Sequence, residues 1–198
     1  MSRVIGLTGS IGMGKSTIAV MLRKMGVPVF DADAEVRRMQ GPGGELLAAI
    51  EALHPGTTGA AGVDRQKLGQ AVFADRAALD RLERIVHPAV ERSRRQFLRR
   101  HRARPLVVLD IPLLFEKSGW RRVDSVLVVS AAAWQQRKRV LARPGMTAAK
   151  LAQIRALQTP DAEKRRRADF VVPTGCTRIK TAAAVRRFLA CLGARTGR

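Results

Sequence analysis

The amino-acid sequence predicts an α/β fold, in which a parallel five-stranded sheet is covered by helices on both faces. Short apolar runs alternate with stretches whose apolar residues recur at helical spacing, and this alternation is typical of parallel sheets. A glycine-rich turn joins the first run to the first helical stretch. The five runs are Val4–Leu7, Val27–Phe30, Leu106–Ile111, Val126–Val129 and Phe170–Val172.

The glycine-rich turn matches a phosphate-binding motif. Gly9-Ser10-Ile11-Gly12-Met13-Gly14-Lys15-Ser16 fits the P-loop pattern G-x-x-x-x-G-K-S/T. The backbone N–H groups of such a loop, with a helix dipole behind them, bind phosphate. Lys15 would reach the terminal phosphates, and the Ser16 hydroxyl would ligate Mg²⁺. A plain tight turn would explain the glycines but not Lys15 followed by Ser16.

We therefore expect a P-loop NTPase-type fold with ATP and Mg²⁺ as cofactors. The residues of this loop expected to bind the nucleotide are Gly9, Gly12, Met13, Gly14, Lys15, Ser16 and Thr17.

Two carboxylates follow the second predicted strand, in the stretch Asp31-Ala32-Asp33. Ligands of open parallel sheets bind beyond the carboxyl ends of the strands, so both side chains are suited to chemistry on a substrate. Aspartate is also a favoured N-cap, and a helix is predicted to begin near Ala34. The spacing leaves both roles open for Asp31 and for Asp33.

Residues 34–104 lack strand alternation and predict a helical insertion between two strands of the sheet. Pro88 is suited to the first turn of a helix, and the pattern alone favours His87 as a core histidine. The arginine-rich stretch Arg92–Arg104 predicts an exposed basic face.

The second half of the chain carries two further candidates for nucleotide chemistry. The third apolar run closes on Asp110, as in a Walker-B element whose carboxylate approaches Mg²⁺ directly or through water. Between the fourth and fifth runs, Arg139 and Arg143 are spaced to lie on one side of a helix, where a mobile lid would carry arginines onto the phosphates. Neighbouring charges, Arg137, Lys138 and Lys164–Arg167, fit a solvated face.

Composition limits the class of protein. The chain has 198 residues, 46% of them hydrophobic, and no apolar run long enough to span a membrane. Cys176 and Cys191 are too few for a disulfide framework, and the first strand follows Met1 closely, so we expect a cytoplasmic protein without a membrane partner. A net charge of +21 suggests an anionic partner, but 4% aromatic residues and the lack of a recognition motif argue against specific nucleic-acid binding. The oligomeric state stays open.

The longer motifs, from Val4 to about Gly175, resemble the dephospho-CoA kinase family. Besides the P-loop, the matching stretches are Asp31–Asp33, Leu82–Pro88, Asp110–Glu116, Gln136–Arg143, Gln158 and Ala168–Val172. One position departs from the family pattern, because Pro173-Thr174-Gly175 stands where the family tends to have asparagine after the fifth strand.

The resemblance implies transfer of the ATP γ-phosphoryl group to the ribose 3′-hydroxyl of dephospho-CoA, the last step of coenzyme A synthesis. It implies a nucleotide-binding core of residues 1–33 and 105–198, a lid within about 136–160, and a helical substrate domain of residues 34–104. The catalytic residues would be Lys15, Asp33 as base, and Arg139. Dephospho-CoA would meet Asp33, His87, Leu113 and Glu116, whereas ATP would also meet Arg143 and the metal would meet Ser16 and Asp110.

Two other functions fit parts of this pattern. Another P-loop kinase, acting on nucleoside monophosphates or shikimate, would use different residues in the insertion. A nucleic-acid-binding protein that uses ATP as a switch would agree with the net charge.

Overall fold

The computed structural model describes residues 2–73, 75–116 and 118–195. Its strands, in chain order, are β1 (Arg3–Thr8), β2 (Val29–Asp31), β3 (Thr58–Gly59), β4 (Gly62–Val63), β5 (Leu106–Asp110), β6 (Ser125–Ser130) and β7 (Phe170–Pro173). Its helices are α1 (Lys15–Lys24), α2 (Ala32–Met39), α3 (Leu47–Leu53), α4 (Arg65–Phe73), α5 (Arg76–Arg100), α6 (Ala133–Leu141), α7 (Ala148–Ala156), α8 (Asp161–Arg166) and α9 (Arg178–Arg195). A short 3₁₀ helix spans Gly119–Arg122.

The chain divides into two compact units. The first unit comprises residues 1–30 and 101–198, and the second comprises residues 31–100. Met1 and residues 196–198, which belong to the predicted nucleotide-binding core, lie outside the described residues.

The first unit contains a five-stranded sheet in the order β2-β5-β1-β6-β7. β1 lies at its centre and pairs in parallel with β5 and with β6, so that Ile5 faces Val108 on one side and Ser125 on the other. Every residue of β5 and β6 is buried, as expected of strands covered on both faces. The predicted α/β fold class is therefore confirmed.

Helices α1 and α9 supply the core that packs with this sheet. Ile18 and Leu22 of α1 belong to the same buried cluster as Val185 and Phe188 of α9. The ring of Phe188 meets that of Phe170 edge to face, with centroids 5.0 Å apart. The helix that carries the end of the P-loop is thereby anchored by its apolar face.

The second unit consists mainly of helices α2–α5, as the sequence predicts, but it also contains a short hairpin. β3 and β4 pair antiparallel over two residues each, a length too short to give a detectable alternation. Gly62, the first residue of β4, has φ +98°, and a Cβ there would lie 2.5 Å from the carbonyl oxygen of Gln40, so the hairpin requires glycine at this position.

The prediction that Pro88 begins a new helix is wrong, because α5 runs unbroken from Arg76 to Arg100 with Pro88 inside it. Leu82 and Ala89, on either side of Pro88, are both buried in the core of the second unit. This continuous packing outweighs the one helical hydrogen bond to the carbonyl of Arg84 that a proline cannot donate.

The arginine-rich end of α5 is largely exposed, which confirms the predicted basic face. Some of its charge is paired locally, since Arg94 and Arg95 both form ion pairs with Glu91. Among the described residues, no helix combines the length and the apolar character that a membrane crossing requires.

Replacing Ile5 by alanine should lower the free energy of unfolding by about 2–5 kcal/mol. The side chain of Ile5 is 0% exposed at the centre of the sheet, so the substitution leaves a cavity. Ile179→Ala provides a matched control, because Ile179 is 81% exposed and its truncation should change stability by less than about 0.5 kcal/mol. Urea unfolding followed by circular dichroism measures both values, and equal losses would contradict this account of the core.

Candidate active site

The P-loop joins β1 to α1 and packs tightly against its surroundings. Gly12 has φ +75°, and a Cβ there would lie 2.5 Å from Cγ2 of Val140 on α6. Gly14, with φ +87°, is the residue that precedes α1. A side chain at Gly9 would lie 2.4 Å from Cγ2 of Val129. The glycine spacing predicted from the sequence is therefore required by both backbone conformation and close approach.

Side chains from outside the loop bind three of its carbonyl groups. Nε2 of Gln136 donates to the carbonyl oxygen of Ile11 at 2.8 Å. Nη1 of Arg139 lies 3.5 Å from that of Gly12, and Oγ1 of Thr174 donates to that of Met13 at 2.5 Å. The loop is thus held by α6 and by the segment that follows β7.

A fourth contact fixes the N–H of Ile11, which donates to Oε1 of Gln158 at 3.1 Å. Gln136 and Gln158 therefore bind the carbonyl oxygen and the N–H of the same residue, Ile11. Neither glutamine was assigned a role from its chemistry, although both lie in the stretches that carry the family resemblance.

Met13 and Thr17, predicted to bind the nucleotide, lie at the two ends of the loop–helix junction. The Met13 side chain is 3% exposed, its sulfur accepts a hydrogen bond from the N–H of Ala131, and its own N–H donates to the carbonyl of Ser10 at 3.1 Å. The N–H of Thr17 donates to the carbonyl of Gly14 at 3.1 Å, in the first turn of α1.

Lys15 and Asp110 form an ion pair between Nζ and Oδ1. The lysine side chain is 18% exposed and the aspartate 3% exposed. Asp110 is the last residue of β5 and faces Leu7 of β1 in the register, which brings it beside the start of α1. A carboxylate this deeply buried requires a cation, and Lys15 supplies it.

The donor set at this position fits Mg²⁺. Ser16 is exposed in the first turn of α1, and its hydroxyl together with the Asp110 carboxylate offers the hard oxygen ligands that Mg²⁺ prefers. Among the described residues, no group of three or more histidines, cysteines, aspartates and glutamates could hold a metal ion. A metal held only by Ser16 and Asp110 would keep several waters and share phosphate oxygens, as Mg²⁺ usually does.

The structure shows which of the two aspartates after β2 caps a helix. Oδ1 of Asp31 accepts a hydrogen bond from the N–H of Ala34 at 2.9 Å and is the N-cap of α2. Asp33 lies in the first turn of the same helix with its side chain exposed. The capping role left open by the sequence thus belongs to Asp31.

Arg139 lies at the P-loop, whereas Arg143 does not share its helix. Nη2 of Arg139 donates to the carbonyl oxygen of Thr174 at 2.6 Å. The prediction of a common helix face is wrong because α6 ends at Leu141 and Arg143 follows as an exposed turn residue. Pro144 disfavours helical backbone at the residue before it, and Gly145 takes φ +72°.

The predicted substrate-binding residues differ in their surroundings. His87 is exposed on α5, so its interpretation as a core histidine is wrong. Leu113 is 36% exposed, so part of its apolar side chain lies at the surface. Glu116 instead has a partner within the protein, because its Oε1 lies 2.9 Å from Nζ of Lys164.

Lys164 is a further residue that the sequence did not single out. It fits a solvated charge run, yet its side chain is 0% exposed and it pairs with Glu116. The N–H of Thr159 also donates to Oε1 of Glu116 at 2.8 Å. Burial alone would raise the pKa of Glu116, but the hydrogen bonds from Lys164 and from backbone N–H groups lower that pKa below its ordinary value.

Comparisons with known proteins agree with this geometry. A family model described as dephospho-CoA kinase matches residues 3–177. A dephospho-CoA kinase of Novosphingobium aromaticivorans is 65% identical over 178 residues, covering 90% of this chain and 89% of that relative. A solved structure from Thermus thermophilus has a TM-score of 0.83 at 35% identity, covering 96% of this chain and 97% of its own. Dephospho-CoA kinase from Campylobacter jejuni, with a TM-score of 0.68 at 19% identity over 96% of this chain and 97% of its own, shares the fold.

Replacing Glu116 by glutamine should lower the free energy of unfolding by about 3 kcal/mol at neutral pH, because Lys164 then stays buried without a carboxylate. The folded-state pKa of Glu116 lies below the unfolded value of 4.5. Its stabilising contribution is therefore fully present above pH 4.5 and is lost as the pH falls through the folded-state pKa. The difference between wild type and variant should shrink in that acidic range.

Glu163→Gln is the matched control for this measurement. Glu163 lies on the same helix as Lys164 and pairs with Arg167, but both side chains are at least a third exposed. Its replacement should change stability by about 0.5 kcal/mol or less. Urea unfolding at several pH values gives both comparisons, and a Glu116→Gln protein as stable as wild type at neutral pH would refute the buried pair.

Proposed function

The chain belongs to the dephospho-CoA kinase family, and on this basis we propose that it transfers the γ-phosphoryl group of ATP to the ribose 3′-hydroxyl of dephospho-CoA, giving coenzyme A and ADP. The observation that carries the proposal is the position of Lys15. This cation is the first residue of α1 and directly follows a P-loop whose carbonyl groups accept hydrogen bonds from side chains outside the loop. This arrangement suits the binding of a phosphate chain.

Phosphoryl transfer requires little covalent chemistry of the protein, and catalysis relies on positioning and charge neutralisation. We assign the phosphate cradle to the P-loop, from Gly9 to Thr17, with Lys15 turning from Asp110 toward the terminal phosphates. Arg139, which lies within 3.5 Å of the Gly12 carbonyl, is suited to neutralise charge on the transferring group. Arg143 is proposed to contact the nucleotide from the turn after α6.

Ser16 and Asp110 are the residues proposed to hold Mg²⁺. The metal would supply neutralisation of the charge on the phosphate oxygens when bound. Asp110 is buried at 3% exposure, so its orientation is set by the fold before any ligand arrives. Ser16 is the second residue of α1, and this position brings it to the same end of the sheet as Asp110.

Asp33 is proposed as the base that orients the ribose hydroxyl and accepts its proton. Because Asp31 already caps α2, the exposed carboxylate of Asp33 is not committed to that role. His87 and Leu113 expose their side chains and are proposed to contact dephospho-CoA. Glu116 contacts Lys164 and Thr159, and we propose that these contacts stabilise the segment that carries Leu113.

We also propose that different parts of the chain have separate roles. Residues 34–104 would form the substrate domain, and a lid would lie within about residues 136–160. A cytoplasmic location is proposed because Cys176 and Cys191 are free, exposed thiols, which persist in a reducing compartment. A specific nucleic-acid partner is not proposed, and the oligomeric state is left unassigned.

An acceptor panel tests the proposed function. ADP production by the purified protein should depend on dephospho-CoA and stay near background with nucleoside monophosphates, shikimate or RNA. Mass spectrometry and phosphorus NMR of the product should identify a phosphate on the ribose 3′-oxygen. Faster turnover with any of the other acceptors would overturn the proposal.

Asp33→Asn should lower kcat by about 10²-fold or more, because it keeps the shape of the side chain and removes the basic carboxylate. ATP affinity, measured separately by calorimetry, should change little. Asp31→Asn is the matched control two residues away, since asparagine is as good an N-cap as aspartate and should preserve activity. Equal activity in the two variants would remove Asp33 from the proposed chemistry.

A further inference from the structure

Thr174 is held in place by the edge of the sheet. It follows β7 directly, where Pro173 faces Ser130 of β6 in the parallel register. The N–H of Thr174 donates to the carbonyl of Ser130 at 2.8 Å and extends the pairing by one residue. The residue is 7% exposed, so its side chain is fixed within the first unit.

The hydroxyl of Thr174 acts on the P-loop. Oγ1 lies 2.5 Å from the carbonyl oxygen of Met13 and 3.2 Å from that of Ser130. A hydroxyl has a single proton to donate, and the shorter distance assigns it to Met13. A Cβ placed on Gly14 would lie 3.3 Å from Cβ of Thr174, so the threonine also packs against the residue that precedes Lys15.

The carbonyl of Thr174 acts on Arg139. Nη2 of Arg139 donates to this oxygen at 2.6 Å, which is the shortest contact of its guanidinium group. A single residue therefore binds the turn that leads into Lys15 and the arginine that lies beside the loop. Thr174 thus contacts Arg139 directly and the turn before Lys15 through the Met13 carbonyl.

We propose that Thr174 is a positioning residue for phosphoryl transfer, whose hydroxyl sets the Met13–Gly14 turn and whose carbonyl sets Arg139. This inference rests on the proposed function and adds a residue that acts through the P-loop and Arg139. Removal of the hydroxyl would leave the Met13 carbonyl without its donor. The Met13–Gly14 turn would then be less ordered before nucleotide binds, and binding and turnover would both bear the penalty of ordering it.

Thr181 offers a matched control, because it also places a buried hydroxyl against the same segment. Its Oγ1 lies 3.3 Å from the carbonyl oxygen of Pro173, the neighbour of Thr174, and the residue is 3% exposed. Thr181 belongs to α9, and its hydroxyl contacts are with Pro173 and Cys176. A purely structural role for buried hydroxyls here would give Thr174 and Thr181 the same phenotype.

The experiment compares Thr174→Val, Thr174→Ala and Thr174→Ser with Thr181→Val. Calorimetry gives the affinity for ADP, steady-state kinetics gives kcat and the KM for ATP, and thermal melting gives Tm. Thr174→Val and Thr174→Ala should lose about tenfold in kcat/KM for ATP and bind ADP more weakly. Thr174→Ser keeps the donor and should stay within about threefold of wild type. Thr181→Val should lower Tm while preserving kcat/KM.

Each outcome decides the inference. Should the methyl of Thr174→Val clash with the Met13 carbonyl and prevent folding, Thr174→Ala removes the donor without adding that group and carries the test. Wild-type kcat/KM and ADP affinity in Thr174→Ala would overturn the inference, as would an equal kinetic loss in Thr181→Val. ADP affinity is measured without an acceptor, so it tests Thr174 even if dephospho-CoA fails in the acceptor panel.

Discussion

Asp110 ends β5 as a carboxylate that is 3% exposed, and Lys15 is the cation that makes this burial possible. The pair joins the last residue of β5 to the first residue of α1, which is the helix that follows the neighbouring strand β1. Unpaired, either charge would carry a desolvation penalty of several kcal/mol. The pairing thus holds two side chains at the P-loop in the absence of any ligand, and they are the two to which we assign the phosphates and the metal.

The rest of the site is held by polar contacts that link distant parts of the chain. Gln136, Gln158 and Thr174 bind P-loop backbone groups more than a hundred residues away in sequence. A second buried ion pair, between Glu116 and Lys164, fixes the segment after β5 to α8. The hydrogen bonds of Gln136, Gln158 and Thr174 restrict the P-loop backbone, which suits a loop that must present that backbone to an anion.

Local sequence patterns sufficed for the five strands of the large sheet, the P-loop sequence and the acid at the end of β5, because apolar runs and glycine spacing report nearby geometry. They failed where a distant contact decides the outcome. Pro88 stays inside α5 because tertiary packing overrides a local signal. Lys164 turns inward from a charge run whose members look alike in sequence. Thr174 stood out only as a departure from a family pattern, since nothing in its neighbourhood reveals a hydrogen bond to Met13.

The division of the chain has a consequence for how such enzymes diversify. The second unit is one uninterrupted stretch, residues 31–100, whereas the first is assembled from two separate stretches. Among the described residues, the side chains shown above to hold the P-loop belong to the first unit, and they are Gln136, Arg139, Gln158 and Thr174. Recombination at two junctions can therefore exchange the whole inserted stretch and leave in place the residues that hold the P-loop.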